Sequence, residues 1–354
     1  MTRKIVIAGL GSAARRIHLP AFSKIKDVEV VGGFDPVAKE EDFDFPLFSS
    51  PEEMVKTTNP DILSIATPPD HHFDLARMGL MAGLHVFCEK PFVNSMENAA
   101  EIISLSKKVN RWVVVNNQFR FMNIFHEAKK RVGMPEFGDL LFISAQQTFF
   151  TTSQTELGWR GEDKRRTCKE FGIHALDLCR FFFDEDPFSI NARMPKGANP
   201  DSPDLLNLIQ LEFSADRVAH ITLDRICRGP HRYLDMRLDG SEACVEISIG
   251  GMVEFAMGIR GGSRKPYMNF DVSMGGRALL YHGDKFSKIA SDPLDGFANG
   301  TVRLFRAFLD ALDSGKTPPC NAEDNARTLA LMLAAYESSE ANSRVEMNYQ
   351  IGEK

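Results

Sequence analysis

The sequence predicts an α/β protein: an N-terminal Rossmann domain with a doubly wound parallel sheet, then a C-terminal α+β domain with a large open, mostly antiparallel or mixed sheet. Three observations lead there. From residue 1 to about 118, short apolar runs alternate with helical patterns, the rhythm of βαβ units. A glycine-rich turn stands directly behind the first of these runs. After Gly138 the period drops to two, as in Leu205, Asn207, Ile209, Leu211 and Phe213, with turn signals at 214–216, 239–240 and 250–251. At 354 residues the chain exceeds the usual single core. Two domains are expected, 1–120 and 121–354.

Taken in order, the expected strands of the first domain are 4–8, 28–34, 62–66, 85–88 and 112–116. Ser50-Pro51-Glu52-Glu53 supplies an N-cap, a proline at the first helical position and a capping-box glutamate. A helix begins near Asp70 and is closed by Gly83, and Ser95 caps another that runs toward Val109. In the second half one helix, 170–183, lies among strands. Two more, 301–314 and 322–342, close the chain, with Gly315 as a stop.

Composition excludes several function classes. A hydrophobic share of 43% and a charged share of 25% belong to a folded globular chain. A net charge of -6 disfavours a nucleic-acid partner. No apolar stretch reaches about 18 residues, so no membrane span is expected, and the apolar run after Met1-Thr2-Arg3-Lys4 is too short for a signal peptide. A cytoplasmic protein is expected. The six cysteines, at 88, 168, 179, 227, 244 and 320, show no metal-ligand spacing, and no metal is expected.

Gly9-Leu10-Gly11-Ser12-Ala13-Ala14 matches the G-x-G-x-x-G/A fingerprint between a strand and a helix. Gly9 permits the tight turn, Gly11 lets backbone approach a pyrophosphate, and Ala14 lets the helix pack against the sheet. The helix start at Ser12 and Ala13 offers N–H donors to the phosphates. Asp35 ends the second strand, where a carboxylate accepts the ribose hydroxyls and repels a 2′-phosphate. NAD is the expected cofactor, with NADP left open by Arg15 and Arg16 nearby.

These residues, with His18-Leu19-Pro20-Ala21, Asp35-Pro36, residues 66–72 (ATPPDHH), residues 83–91 (GLHVFCEKP) and Gly172-Ile173-His174-x-x-Asp177, resemble the Gfo/Idh/MocA oxidoreductases. The resemblance spans essentially the whole chain and is most specific at Glu89-Lys90-Pro91. It implies NAD(P)-dependent oxidation or reduction of a sugar, polyol or sugar derivative at a secondary alcohol or ketone carbon. It also implies dimers or tetramers built through the C-terminal sheet. Lys90 and His174 take the positions of the family's catalytic lysine and histidine. Glu170 stands where the family has an aspartate, and residues 164–169 (KRRTCK) replace its glycine-rich run. The resemblance further places Thr67, Pro68, His72, Glu89 and Lys90 around the cofactor.

Alcohol oxidation needs a group that takes the hydroxyl proton as hydride leaves. Lys90, at the end of a predicted strand, lies where open α/β sheets bind ligands. Glu170, His174 and Asp177 share one helical stripe at i, i+4 and i+7. A core histidine satisfying a carbonyl is the alternative for His174, and a helix-start acid the alternative for Glu170. Arg120, Trp159, Arg160 and Asp177 are candidate substrate contacts, and the basic run at 164–166 suits an acidic substrate. Two other function classes stay open: a catalytically silent NAD(P)-bound sensor, and a lyase, epimerase or glycosidase that uses NAD transiently.

Overall fold

Five short parallel strands build the first sheet: β1 (Arg3–Ala8), β2 (Val28–Phe34), β3 (Ile62–Ile65), β4 (His85–Cys88) and β5 (Val113–Val115). The protein was analysed as a computed structural model that describes residues 2–151, 163–196, 203–229, 231–259 and 266–350. The strand order is β2-β1-β3-β4-β5, and every pair is parallel. β3 and β5 are buried along their whole length, which is why β5 reads as an unbroken apolar run and β3 is apolar but for Ser64, rather than alternating. The order reverses between β1 and β3, so their carboxyl ends open the crevice where such sheets take ligands. One parallel bridge, Gly33 to Leu47, lies beyond β2 as the trace of a further strand.

Helices connect these strands where the caps were expected. A π-helical segment, Ala14–His18, runs into α1 (Leu19–Phe22). The Ser50 hydroxyl accepts the Glu53 N–H at 3.1 Å at the start of α2 (Pro51–Thr58). Ser95 does the same for Asn98 at α4 (Met96–Val109), after α3 (His72–Met81). Each such cap contributes about 1 kcal/mol.

The second sheet has nine strands, ordered β15-β14-β11-β10-β6-β9-β8-β7-β16. They are β6 (Leu140–Thr148), β7 (Ser189–Arg193), β8 (Leu206–Phe213), β9 (Arg217–Asp224), β10 (Arg232–Gly240), β11 (Cys244–Ile249), β14 (Gly276–His282), β15 (Lys285–Asp292) and β16 (Val345–Glu346). Only β6 and β9 pair in parallel, so the sheet is mixed and mostly antiparallel. α5 (Asn123–Val132) packs on β11, β14 and β15, and α6 (Ile173–Phe183) on β6 and β9. On β8, Asn207, Ile209, Leu211 and Phe213 are buried and the residues between them are not, as the two-residue period demands. A separate two-stranded ribbon pairs β12 (Met252–Ile259) with β13 (Pro266–Ser273).

Two closing helices, α7 (Gly296–Ser314) and α8 (Ala322–Ala341), correct the expected division of the chain. The first compact unit is Met1–Phe121 together with Phe297–Leu333 and Asn348–Lys354, and the second is Met122–Gly296 together with Ala334–Met347. Residues 297–333 were expected in the second domain. They belong to the first because Val302, Leu304, Phe305 and Phe308 of α7 complete its core with Ile5, Ile7, Phe22, Phe87 and Val114. Phe305 meets Phe22 and Phe87 with ring centroids 4.8 and 5.0 Å apart. The tail of α8 serves the second unit, where the Ser338 and Ser339 hydroxyls accept the N–H groups of Ala192 and Met194.

Candidate active site

At the carboxyl edge of the first sheet the glycine turn is forced by its surroundings. Gly9 has φ +87°, and a Cβ there would lie 2.6 Å from the Ala66 carbonyl carbon and the Thr67 nitrogen, backbone that cannot yield. A Cβ on Gly11 would meet nothing within 4 Å, so its backbone faces open space. Ser12 and Ala13 begin the helical run, and Ala14 is fully buried against the sheet. Asp35 crosses to this turn: its Oδ2 accepts the Leu10 N–H at 2.8 Å, and its Oδ1 accepts the Val37 N–H at 3.0 Å. A carboxylate has about four acceptor directions, so these two bonds leave capacity for two hydroxyls. Arg15 is spoken for, with Nε on the Leu10 carbonyl, one nitrogen 2.7 Å from Asp42, and its guanidinium over Phe43.

Beyond β4 lies a buried polar network that holds Glu89. The Glu89 Oε1 is 2.9 Å from His18 Nε2 and accepts the Asn116 side-chain amide at 2.8 Å. Oε2 accepts the Lys90 backbone N–H at 3.3 Å. His18 Nδ1 lies 2.8 Å from Ser64 Oγ, and the Thr301 hydroxyl of α7 donates to Asn116 Oδ1 at 3.1 Å. Burial acts to raise the Glu89 pKa. The hydrogen bond and charge of His18, then Lys90 and Asn116, outweigh it and hold the carboxyl at about 2. Lys90 itself is half-buried and is followed by a cis peptide bond to Pro91.

Thr67 and Pro68 follow β3 at the same edge and are half-buried. His72, an expected cofactor residue, is buried, with Nδ1 2.8 Å from the Pro91 carbonyl and Nε2 2.9 Å from that of Thr67. It buckles two loops together. Burial pushes the ring below its ordinary pKa, and a neutral ring has one N–H to give to two carbonyls. Arg120 was a candidate substrate contact; the structure pairs it with Asp324 of α8 at 2.8 Å.

The second unit departs from ideal helical spacing at its candidate residues. Cys168–Gly172 is π-helical and continues into α6, so hydrogen bonds close five residues apart and the expected stripe of Glu170, His174 and Asp177 is broken at its start. Glu170 Oε2 is 3.4 Å from Arg166 Nε and 3.9 Å from an Arg225 terminal nitrogen, and both arginines are buried. Arg225 also stacks over Phe149 and Phe171. His174 is buried on the first turn of α6. Asp177 is buried too and faces Arg180 at 3.9 Å. Trp159 and Arg160 lie outside the described residues.

Asp204 organises this helix start and was missed by the sequence reading. Its carboxylate accepts the N–H groups of Arg166, Thr167 and Cys168 at 2.6, 2.8 and 3.1 Å and the Tyr336 hydroxyl at 2.9 Å. Burial first, then neighbouring Cys168 and Asp204, push the Tyr336 phenol far up, so it stays a donor. A remote N-cap of this kind leaves no local motif, because donor and acceptor stand more than 30 residues apart.

Residues 3–117 match the model of the Gfo/Idh/MocA oxidoreductase family, NAD-binding Rossmann fold, and residues 125–246 match the Gfo/Idh/MocA C-terminal domain. The chain belongs to the Gfo/Idh/MocA oxidoreductases. Among curated relatives of this Gfo/Idh/MocA enzyme, the D-apiose dehydrogenase of Paraburkholderia graminis is 23% identical, over 97% of this chain and 89% of that one. The D-apiose dehydrogenase of Rhizobium rhizogenes is 24% identical, over 80% and 78%. The fold is shared with myo-inositol 2-dehydrogenase from Lactobacillus plantarum, with a TM-score of 0.78, 18% identity, and 98% and 100% of the chains covered. It is shared equally with an Agrobacterium radiobacter oxidoreductase solved with NAD+, L-tartaric acid and magnesium, at a TM-score of 0.80, 18% identity and 98% of both chains. The family model over residues 3–117 is that of an NAD-binding Rossmann fold, and NAD is the cofactor class. The open backbone at Gly11 and the unspent acceptor capacity of Asp35 fit it. Among the described residues no cluster of three or more His, Cys, Asp or Glu is placed to hold a metal, and no helix is long and apolar enough to cross a membrane.

Proposed function

We propose that this enzyme oxidises a secondary alcohol of a sugar, polyol or sugar derivative, or reduces the corresponding ketone, with Lys90 and His174 as its acid/base groups. The observation that carries this reading is the fixing of Lys90. Its backbone is tied by Glu89 at the carboxyl edge of β4, the edge that also bears Gly9 and Asp35. When bound, NAD supplies the two-electron acceptor or donor. Gly9 through Ala14 hold the pyrophosphate on backbone N–H groups, and Asp35 accepts the ribose hydroxyls. In the oxidative direction Lys90 Nζ takes the substrate hydroxyl proton, and in the reductive direction returns it. The role of Glu170 is narrower than that of the family's aspartate. An oxygen shared by two guanidiniums suits an orienting acceptor better than a proton carrier.

Asp35, together with the engagement of Arg15 by Asp42, favours NAD over NADP. The sugar dehydrogenases among the relatives support the substrate class. Absorbance of reduced cofactor, followed with NAD or NADP and a panel of polyols, aldoses, sugar acids and sugar phosphates, tests the reading. With a substrate in hand, Lys90→Met is expected to bind nucleotide normally and lose about 10²-fold or more in turnover. Unchanged turnover removes Lys90 from the mechanism. Product without net NADH points to the transient-NAD classes, and tight nucleotide binding without any turnover points to a sensor.

Self-association is proposed through the β12–β13 ribbon. Val253 stands opposite Val272 and Met257 opposite Met268, which puts them with Phe270 on one face, and all five side chains are exposed. A two-stranded ribbon is marginal alone in water, and an apolar face of this kind is satisfied by a second copy.

A further inference from the structure

The ribose edge of the first unit carries a guanidinium together with the group that occupies it. Leu10 connects that guanidinium to Asp35, giving its N–H to Asp35 Oδ2 at 2.8 Å and its carbonyl to Arg15 Nε at 3.0 Å. The cation is therefore held within a residue's length of the carboxylate read as the ribose acceptor. Its backbone is fixed as well, since the Arg15 N–H donates to the Gly11 carbonyl at 3.0 Å. The outer end is taken by Asp42, from the single 3-10 turn Glu40–Asp42: Arg15 Nη2 donates to Asp42 Oδ2 at 2.7 Å, and Cζ lies 4.6 Å from the centroid of the Phe43 ring. These bonds use two of the five guanidinium N–H groups. The side chains of the pair are 44% and 41% exposed, and an ion pair so open to water contributes little to stability. It matters instead for what can bind there.

We propose that Asp42 is a specificity-determining residue for the dinucleotide: by occupying Arg15 it withholds a guanidinium fixed beside Asp35 from a 2′-phosphate, so that NADP is refused by two carboxylates rather than one. The proposal rests on the reading of Asp35 as the ribose acceptor. The two carboxylates work differently. Asp35 repels the phosphate, whereas Asp42 removes the partner that would hold it. Arg15, Asp35 and Asp42 together leave an excess negative charge at this edge, and a 2′-phosphate adds to it. With the Asp42 charge gone the edge is neutral, and Arg15 can turn its outer nitrogens to a phosphate while Nε stays on Leu10. Glu41 of the same turn takes no part, being paired with Lys39 at 3.8 Å.

Calorimetric titration with NAD and NADP tests this without a substrate, at low ionic strength because the groups are exposed. Asp42→Ala is expected to raise the ratio of NADP to NAD affinity about tenfold, the lower end of the range for hydrogen bonds to a charged group. The same step in an Asp35→Ala background should give a similar factor, and decides the matter where wild type binds NADP too weakly to measure. Once Arg15→Gln is present, Asp42→Ala is expected to move the ratio by less than about twofold, because the two residues act as one unit. Glu41→Gln removes a charge from the same turn without a bond to Arg15, and is expected to stay within about twofold of wild type. A ratio unmoved by Asp42→Ala overturns the proposal. So does a gain that survives Arg15→Gln or is reproduced by Glu41→Gln, since either reports bulk charge rather than the release of Arg15. Thermal melts verify folding in every variant. Failure of the Asp35 reading shows separately, as NAD affinity that survives Asp35→Ala.

Discussion

Asp35 does two things with one carboxylate: it pins the glycine turn through the Leu10 N–H and offers its remaining acceptor directions to a ribose. Losing it should therefore cost more than a hydroxyl contact. Asp35→Ala is expected to weaken NAD binding by about 10- to 100-fold, the range for hydrogen bonds to a charged group, and to narrow the gap between NAD and NADP. Calorimetric titration with both nucleotides measures this, and NAD affinity within twofold of wild type would remove Asp35 from the site. Asp35 was readable because its partner is a contiguous motif on the preceding strand. Ser64, Asn116 and Asp204 were not, since each acts on a group 27 or more residues away and no sequence period encodes such a pairing. His18 stood within a familiar stretch, but nothing in its neighbours announces the Glu89 it meets 71 positions later.

Within elements, two junctions expose their stability to measurement. His85 Nδ1 accepts the Trp112 N–H at 3.0 Å beside the β4–β5 pairing, so the ring must be neutral to hold it. Burial first, then Arg111 and Arg3, bring its pKa from 6.5 down to about 4. The unfolded chain thus binds a proton that the folded one refuses. Stability from this group is complete above about pH 6.5 and is lost as pH falls toward 4. The melting temperature should decline across that window and decline less in His85→Gln; identical slopes would count against the assignment. At the start of the π segment, Asp204→Ala strands three backbone donors and a tyrosine hydroxyl. A loss of roughly 3 kcal/mol in urea unfolding is expected, since breaking buried charged hydrogen bonds falls in that range. The five first-sheet strands matched their expected positions within a residue because buried parallel strands are short apolar runs between turn signals. The π segments escaped notice because their residues look α-helical in composition, and only the hydrogen-bond spacing tells them apart.

At the level of the whole molecule, the β12–β13 ribbon predicts a change in mass. Phe270→Glu with Met257→Glu should move the protein to a smaller species in sedimentation velocity, with NAD binding retained. An unchanged species places self-association elsewhere. The periodicity of 205–213 foretold a half-buried sheet, and the glycine turn foretold the nucleotide edge. The allegiance of α7 was illegible: its amphipathic pattern says that one face is buried and nothing about which sheet buries it.

That allegiance has a consequence for synthesis. The nucleotide-binding unit cannot close its core until Phe305 and Phe308 arrive. About 175 residues are made between its first stretch and the one that carries α7. At roughly 5–20 residues per second, the ribosome holds an unfinished Rossmann sheet for about 10–35 s. Over that interval the Phe22 and Phe87 side of the sheet faces water, and a nascent chain truncated before α7 should be a chaperone client rather than a nucleotide binder.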